Sequence, residues 1–217
     1  NYGFEIADNN FSEANCELRC LSDYSHLIPT AIEKNYVSEE AEETLTKVIS
    51  STNNPYAHYH LGLLFFSSNQ AVAVHHLKKS SNNKDLMSDS LLLLSKLFKN
   101  ENNLSQAKKC LVQGILKSPK KSTFMYSLGV IYLQEKNFQV ALKYFEETSQ
   151  EKQFEEASLQ RKIEIFQYLN DIEKAKETCS LILKKYPSPK NAIALAKILE
   201  SQGLWVQAYS VYKSALS

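Results

Sequence analysis

Three alanines, Ala107, Ala141 and Ala175, are evenly spaced along the chain, and Phe98, Tyr132 and Phe166 repeat the same interval nine residues ahead of them. An interval of this kind marks an internal repeat, in which each copy buries its apolar face against the next copy instead of in one central core. Within each period the apolar residues recur at i, i+3, i+4 and i+7, which predicts two amphipathic helices per copy. The small residues Gly62, Gly129, Ala107, Ala141, Ala175 and Ala208 fall where two helix axes must approach closely, and the aromatics fill the space they leave. Pro55, Pro119 and Pro187 are expected to open the first helix of the next copy, because proline is tolerated in a first turn but not in a helix interior. Gly62, Gly114, Gly129 and Gly203 are taken up by packing or turns, which of five glycines leaves only Gly3, too few for a phosphate loop.

The fullest copy is Leu128-Gly129-x2-Tyr132 followed by Ala141-x3-Phe145. Looser copies hold Ser95, Phe98, Ala107, Leu111, Gly114 and Pro119, then Phe166, Ala175, Cys179 and Pro187. An earlier copy, Leu61-Gly62-x2-Phe65, Ala73 and Leu77, has a turn shortened by one, and a last copy holds Leu195-Ala196-x2-Leu199, Ala208 and Tyr212. This pattern resembles the tetratricopeptide repeat. The resemblance implies an all-α fold, a right-handed α-solenoid of antiparallel helix pairs. Five repeats are expected over residues 55–217, at about 55–85, 86–119, 120–153, 154–187 and 188–217. Residues 1–54 are expected to form a helical cap with a worn first repeat. Within it Ser12 and Glu13 open one helix, a second begins near Pro29, and Ser38 caps a third over about 39–50 whose packing face is Ala41, Leu45 and Val48.

Lysine supplies 23 of the 25 basic residues, with Arg19 and Arg161 the others, which weakens any case for bidentate recognition of phosphates or bases. Four scattered cysteines make no disulfide framework, and Cys110 and Cys179 are expected as buried free thiols on second helices. A reducing compartment follows, cytoplasmic or nuclear. There is no run of 18 apolar residues, so no membrane role is expected. Without an initiator Met, and with no polar-faced closing helix after the last repeat, the sequence reads as part of a longer protein. An open apolar C-terminal end of that kind suits association with a neighbour.

Function must come from residues that stacking does not need. In the family that the sequence resembles, the first helices of successive repeats line a concave groove. Carried over position by position, a groove over residues 56–133 is lined by Tyr59, Leu63 and Phe66, by Asp89, Leu92, Lys96 and Lys99, and by Thr123, Tyr126, Val130 and Leu133. It continues with Gln160, Glu164 and Gln167, then Lys190, Ile193, Lys197 and Glu200. The segments 59–66, 91–94 and 124–133 are apolar around most of the helix, whereas 155–167 and 189–201 are amphipathic. A helix apolar on every side is buried on every side. The cover is a partner segment with apolar anchors, the N-terminal 37 residues folding back, or neighbouring repeats in a tight superhelix.

Family members that hold the acidic tails of heat-shock chaperones use a clamp of lysine, asparagine and arginine. Here Tyr59 and Leu63, Leu92 and Lys96, and Tyr126 and Val130 stand in those places, so the clamp is absent. His58, His60, His75 and His76 lie on two helices expected to pack antiparallel, yet no cysteine or carboxylate completes a metal set at motif spacing. Cys16, Cys20 and His26 are a weaker hint of the same kind, and nothing marks a catalytic base or oxyanion site. The lysine clusters at 108–109, 117–121 and 184–185 are interrupted by glutamates at 146, 147, 151, 155 and 156, as on a solvated outer surface. The expectation is a non-catalytic protein-interaction scaffold or adaptor, a subunit of a larger assembly with no cofactor and no metal. A peptide sensor that changes curvature, and an RNA-binding helical repeat, are the alternatives.

Overall fold

The computed structural model describes residues 39–216, and every element among them is an α-helix. The expected helices ahead of residue 39, with Cys16, Cys20 and His26, lie outside the described residues. The described residues divide into two compact units between Gly114 and Ile115. The first holds α1 (Glu39–Thr52), α2 (Pro55–Leu64), α3 (Gln70–Ser80), α4 (Met87–Asn100) and most of α5 (Leu104–Lys117). In it α1 packs on α2, α2 on α3, and α3 on α4. The second holds α6 (Lys121–Gln134), α7 (Phe138–Thr148), α8 (Lys152–Tyr168), α9 (Ile172–Lys185), α10 (Pro189–Ser201) and α11 (Trp205–Leu216). There α6 pairs with α7, α8 with α9 and α10 with α11, while α7 against α8 and α9 against α10 join the pairs.

Close approach within a pair depends on the missing side chains. A β-carbon on Gly62 of α2 would stand 2.6 Å from Cγ of Leu77 on α3, and one on Gly129 of α6 would stand 3.0 Å from the Phe145 ring on α7. Ala73, Ala107, Ala141 and Ala175 have no exposed surface at all, and Ala208 has 2%. In the second unit two clusters result. One joins Leu133, Ala141, Phe145 and Ile165; the other centres on Ala175, Cys179, Ile182, Ala196 and Leu199. Cys179 is buried as expected, and burial pushes its thiol up to about 11; Cys110 is only half-buried.

The turn that follows α4, α6, α8 and α10 repeats as strictly as the core. Asn102, Lys136 and Asn170, spaced at the same interval as the alanines, have φ of 58°, 58° and 55°, and Gly203 has 73°. Each is the left-handed residue that ends a helix. The next amide reaches back to the carbonyl of Phe98, Tyr132, Phe166 or Leu199 at 2.7–2.9 Å, which closes a Schellman motif. Asn103, Asn137 and Asp171 then cap the following helix, their side chains accepting from the amides of Gln106, Val140 and Lys174. The periodic aromatics therefore supply a carbonyl to the turn as well as a ring to the core.

Between pairs the contact carries a hydroxyl. Ser80 and Ser90 lie 2.8 Å apart, buried, where α3 meets α4, and Thr148 and Ser158 lie 2.8 Å apart where α7 meets α8. The prolines divide differently from expectation. Pro55 occupies the first turn of α2 behind the Asn54 cap, but Pro119 and Pro187 precede their helices, and Pro189 behind the Ser188 cap is the residue that opens α10. A loop before the N-cap suits proline as well as the first turn does, so spacing alone does not separate the two places.

His58 of α2 and His76 of α3 face each other with Nδ1 atoms 2.8 Å apart, and His58 Nε2 is 2.9 Å from Asn53 Oδ1. A carbonyl oxygen only accepts, so His58 carries its proton on Nε2 and its Nδ1 accepts from His76 Nδ1–H. Burial, then His75 and Lys79, hold His58 below its ordinary value, and burial, then His58 and His75, push His76 down to about 4. His60 is buried, with its Nε2 unpartnered, and burial lowers it too.

Two outcomes follow from this packing. Gly62→Ala gains about 1 kcal/mol of helix propensity but overpacks Leu77 at a cost of about 1–3 kcal/mol, so denaturant unfolding should show a net loss; a gain would mean that Leu77 moves aside freely. The unfolded histidines take up protons near pH 6.5, whereas the folded His76 does so only near 4. The unfolded chain thus binds more protons in that window, so stability is full above it and is lost as pH falls through it. Thermal melts from pH 7 to 4 should decline accordingly, and His76→Gln should remove part of the decline; the same slope in both chains would contradict the assignment.

Candidate functional site

In the first unit the expected face is carried by α2, the turn after it, and α4. Tyr59, Leu63, Phe66 and Leu92 are half-buried, and Lys96 and Lys99 are exposed. Phe66 and Lys96 are brought together, with Lys96 Nζ 5.5 Å from the ring centre. Burial, and then the Asp89 charge, push the Tyr59 hydroxyl up to about 12, so it is a permanent donor at neutral pH. Behind this face Ala57, His58, His60, Leu61 and Gly62 are buried, which accounts for much of the apolar character of α2 on its other sides.

In the second unit α6 carries Tyr126, Val130 and Leu133. Leu133 is 8% exposed and belongs to a core cluster against which Tyr126 and Val130 also pack. The Tyr126 ring stacks on Phe154 at 5.5 Å and meets Phe145 edge-on at 5.5 Å. Neighbouring helices therefore take up most of the all-round apolar surface of α6, with Phe124, Leu128 and Ile131 buried as well. What remains open is a cavity of about 220 Å³ at its C-terminal end, walled by Val130, Leu133, Phe138 and Tyr168 with Lys136, Arg161 and Glu164 at its polar side. Arg161 donates to Glu164 at 2.8 Å, and this bond, with the Tyr126 hydroxyl, raises its already high pKa. Phe138 and Tyr168 stack at 5.6 Å.

Farther along, the amphipathic helices close their own polar face. Asn191, 2% exposed, donates to Glu156 and to the Tyr186 carbonyl, and Gln160 bridges Glu156, Asn191 and Lys190. Glu155 takes bonds from Lys185 and Tyr186, which lower its carboxyl pKa. Gln167, Lys190, Ile193 and Lys197 stay exposed, and Glu164 and Glu200 are half-buried. Sequence reasoning missed Lys136, Phe138, Arg161 and Tyr168. Its available signals were that Arg161 is one of two arginines and that Lys136 stands where the other turns have asparagine or glycine. Among the described residues no group of three or more histidine, cysteine or acidic side chains is placed to hold a metal. No described helix is long and apolar enough to cross a membrane.

Comparison with known proteins bears on the repeat. The family model of the tetratricopeptide repeat matches residues 122–147, the α6–α7 pair. Among solved structures, the C-terminal part of a TPR repeat-containing protein from Cytophaga hutchinsonii is similar with a TM-score of 0.69 at 14% identity, over 88% of this chain and 78% of that one. BtubC from P. vanneervenii gives 0.66 at 14% identity over 85% and 89%, and MamA gives 0.60 at 16% identity over 72% and 92%. At such identities the likeness is one of fold, the all-α solenoid of helix pairs. A curated orotate phosphoribosyltransferase from Cytophaga hutchinsonii is 46% identical over 44 residues, 20% of this chain and 21% of that protein. The chain thus spans about a fifth of that relative's length, and the match is short and partial. The family model thus matches the α6–α7 pair, and the described helix pairs share the fold of these solved tetratricopeptide-repeat structures.

Proposed function

We propose that the chain is a non-catalytic protein-interaction scaffold, an adaptor or subunit of a larger assembly, built from five repeats over residues 55–217 behind an N-terminal cap. The observation that carries this reading is the first-unit face, where Tyr59, Leu63, Phe66 and Leu92 stay half-buried beside exposed Lys96 and Lys99. Covering four half-buried side chains is worth about 3–6 kcal/mol, against an association cost of about 4–15 kcal/mol. The four apolar residues alone do not hold a partner. A protein segment that also meets the lysines gains more, and the second unit offers a further contact of its own on α6 at Val130. Tyr126 and Leu133 contribute by shaping that face, since their own surfaces are already committed to the core.

Affinity capture from cell extract with mass spectrometry tests the reading. The chain is compared with a Leu63→Asp, Leu92→Asp double variant whose helicity and melting are checked in parallel. A stoichiometric partner lost from a folded variant is the expected result. The same partners on both chains would remove the first-unit face as the binding site.

A further inference from the structure

We propose that the cavity at the C-terminal end of α6 seats one aromatic or aliphatic side chain of a protein segment that carries a carboxylate side chain in the next residue or two. The inference deepens the scaffold reading and rests on it. All the groups involved belong to the second unit.

Size sets the first limit. About 220 Å³ is below the roughly 300–1,000 Å³ of pockets that enclose whole cofactors or drug-sized ligands, and it suits a single side chain. The lining sets the chemistry of the anchor: Val130 and Leu133 are apolar, and Phe138 stacks on a Tyr168 that is 64% exposed, so an aromatic face is left for a third ring.

The polar side sets the flanking group. Arg161 and Lys136 stand against a single carboxylate, Glu164, and Arg161 spends one of its five donors on it. Among the described residues Lys136 has no carboxylate within ion-pair distance. The excess of one positive charge is complementary to a carboxylate brought in by the partner.

The backbone supplies an independent observation. At the equivalent turns the left-handed residue is Asn102, Asn170 or Gly203, the types that adopt this conformation cheaply, whereas Lys136 holds φ 58° against its preference. The single departure from the asparagine–glycine rule is the residue that lines the cavity. A turn optimised for stability alone would have glycine there; lysine gives up stability and places a cation at the cavity's edge.

The test titrates the isotope-labelled 217-residue chain with acetyl-Ser-Phe-Asp-Ser-amide by NMR, with Phe-Lys and Ala-Asp versions of the peptide as controls. Saturable shifts at the amides of Val130, Lys136 and Tyr168 are expected, with each control at least about tenfold weaker, which is about 1.4 kcal/mol. Lys136→Gly should melt higher than the natural chain and bind the Phe-Asp peptide about tenfold more weakly, a combination that misfolding cannot produce. The proposal is overturned by the absence of shifts at those amides, by equal binding of the controls, or by unchanged affinity in Lys136→Gly. It is equally overturned if the same amides shift with chain concentration alone, which would make a second copy the occupant, or with oligouridylate and not with peptide. If the peptide fails while the first-unit variant still loses its captured partner, this inference alone falls; if the captured partner is retained as well, the first-unit face falls with it as the binding site.

Discussion

Two helices in this chain approach closely only where one of them offers almost no side chain. Leu77 lies where a β-carbon on Gly62 would be, and the Phe145 ring lies beside Gly129, so a larger residue at either glycine must displace its neighbour for the pair to close. The fully buried alanines at 73, 107, 141 and 175 set the same condition from the other helix of each pair. Once axial separation is fixed in this way, the aromatic at the end of the first helix has one place to go. Its carbonyl is then in position to take the amide that closes the turn. Core, turn and cap are thus consequences of one steric demand repeated along the chain.

Because stacking uses one stripe of each helix, the remaining surface is what selection for a partner can act on. The two units have spent it differently. The first keeps aromatic and aliphatic groups half-covered beside two lysines. In the second, Tyr126 and Leu133 are drawn into packing, and a small cavity with an arginine, a lysine and a glutamate at its polar side is left. The polar network of Glu156, Gln160, Lys190 and Asn191 farther along satisfies its own hydrogen bonds and offers little to a ligand. Nucleotide chemistry is not supported by the 44-residue likeness to a phosphoribosyltransferase, which covers about a fifth of either protein.

The repeat was legible because alanine and aromatic spacing is a local, periodic signal, and the helix pair over 121–148 is where that signal is fullest. The turn was equally periodic but went unread, since asparagine, lysine and glycine at 102, 136, 170 and 203 look unrelated until their shared positive φ is known. Groove-facing positions were harder. Tyr126 was placed by resemblance to the family's groove, yet its surroundings come from Phe145 on α7 and Phe154 on α8, and no single-helix argument contains them. The cavity residues come from α6, the following turn, α7 and α8 together, a convergence that becomes visible only when the pairs are docked.

The buried hydroxyl pairs bear on how such a chain avoids misassembly. Copies of one helix pair resemble each other closely enough to dock out of order, the usual hazard of repeat proteins. Ser80 with Ser90, and Thr148 with Ser158, put a hydrogen bond in two of the inter-pair contacts, while the positions one repeat beyond the latter hold Ile182 and Ala192, both buried and apolar. A pair docked on the wrong neighbour would set a hydroxyl against isoleucine or alanine and leave it without a partner, at a cost of about 1–3 kcal/mol. The hydroxyls thus set two of the inter-pair contacts apart from the apolar one that Ile182 and Ala192 occupy.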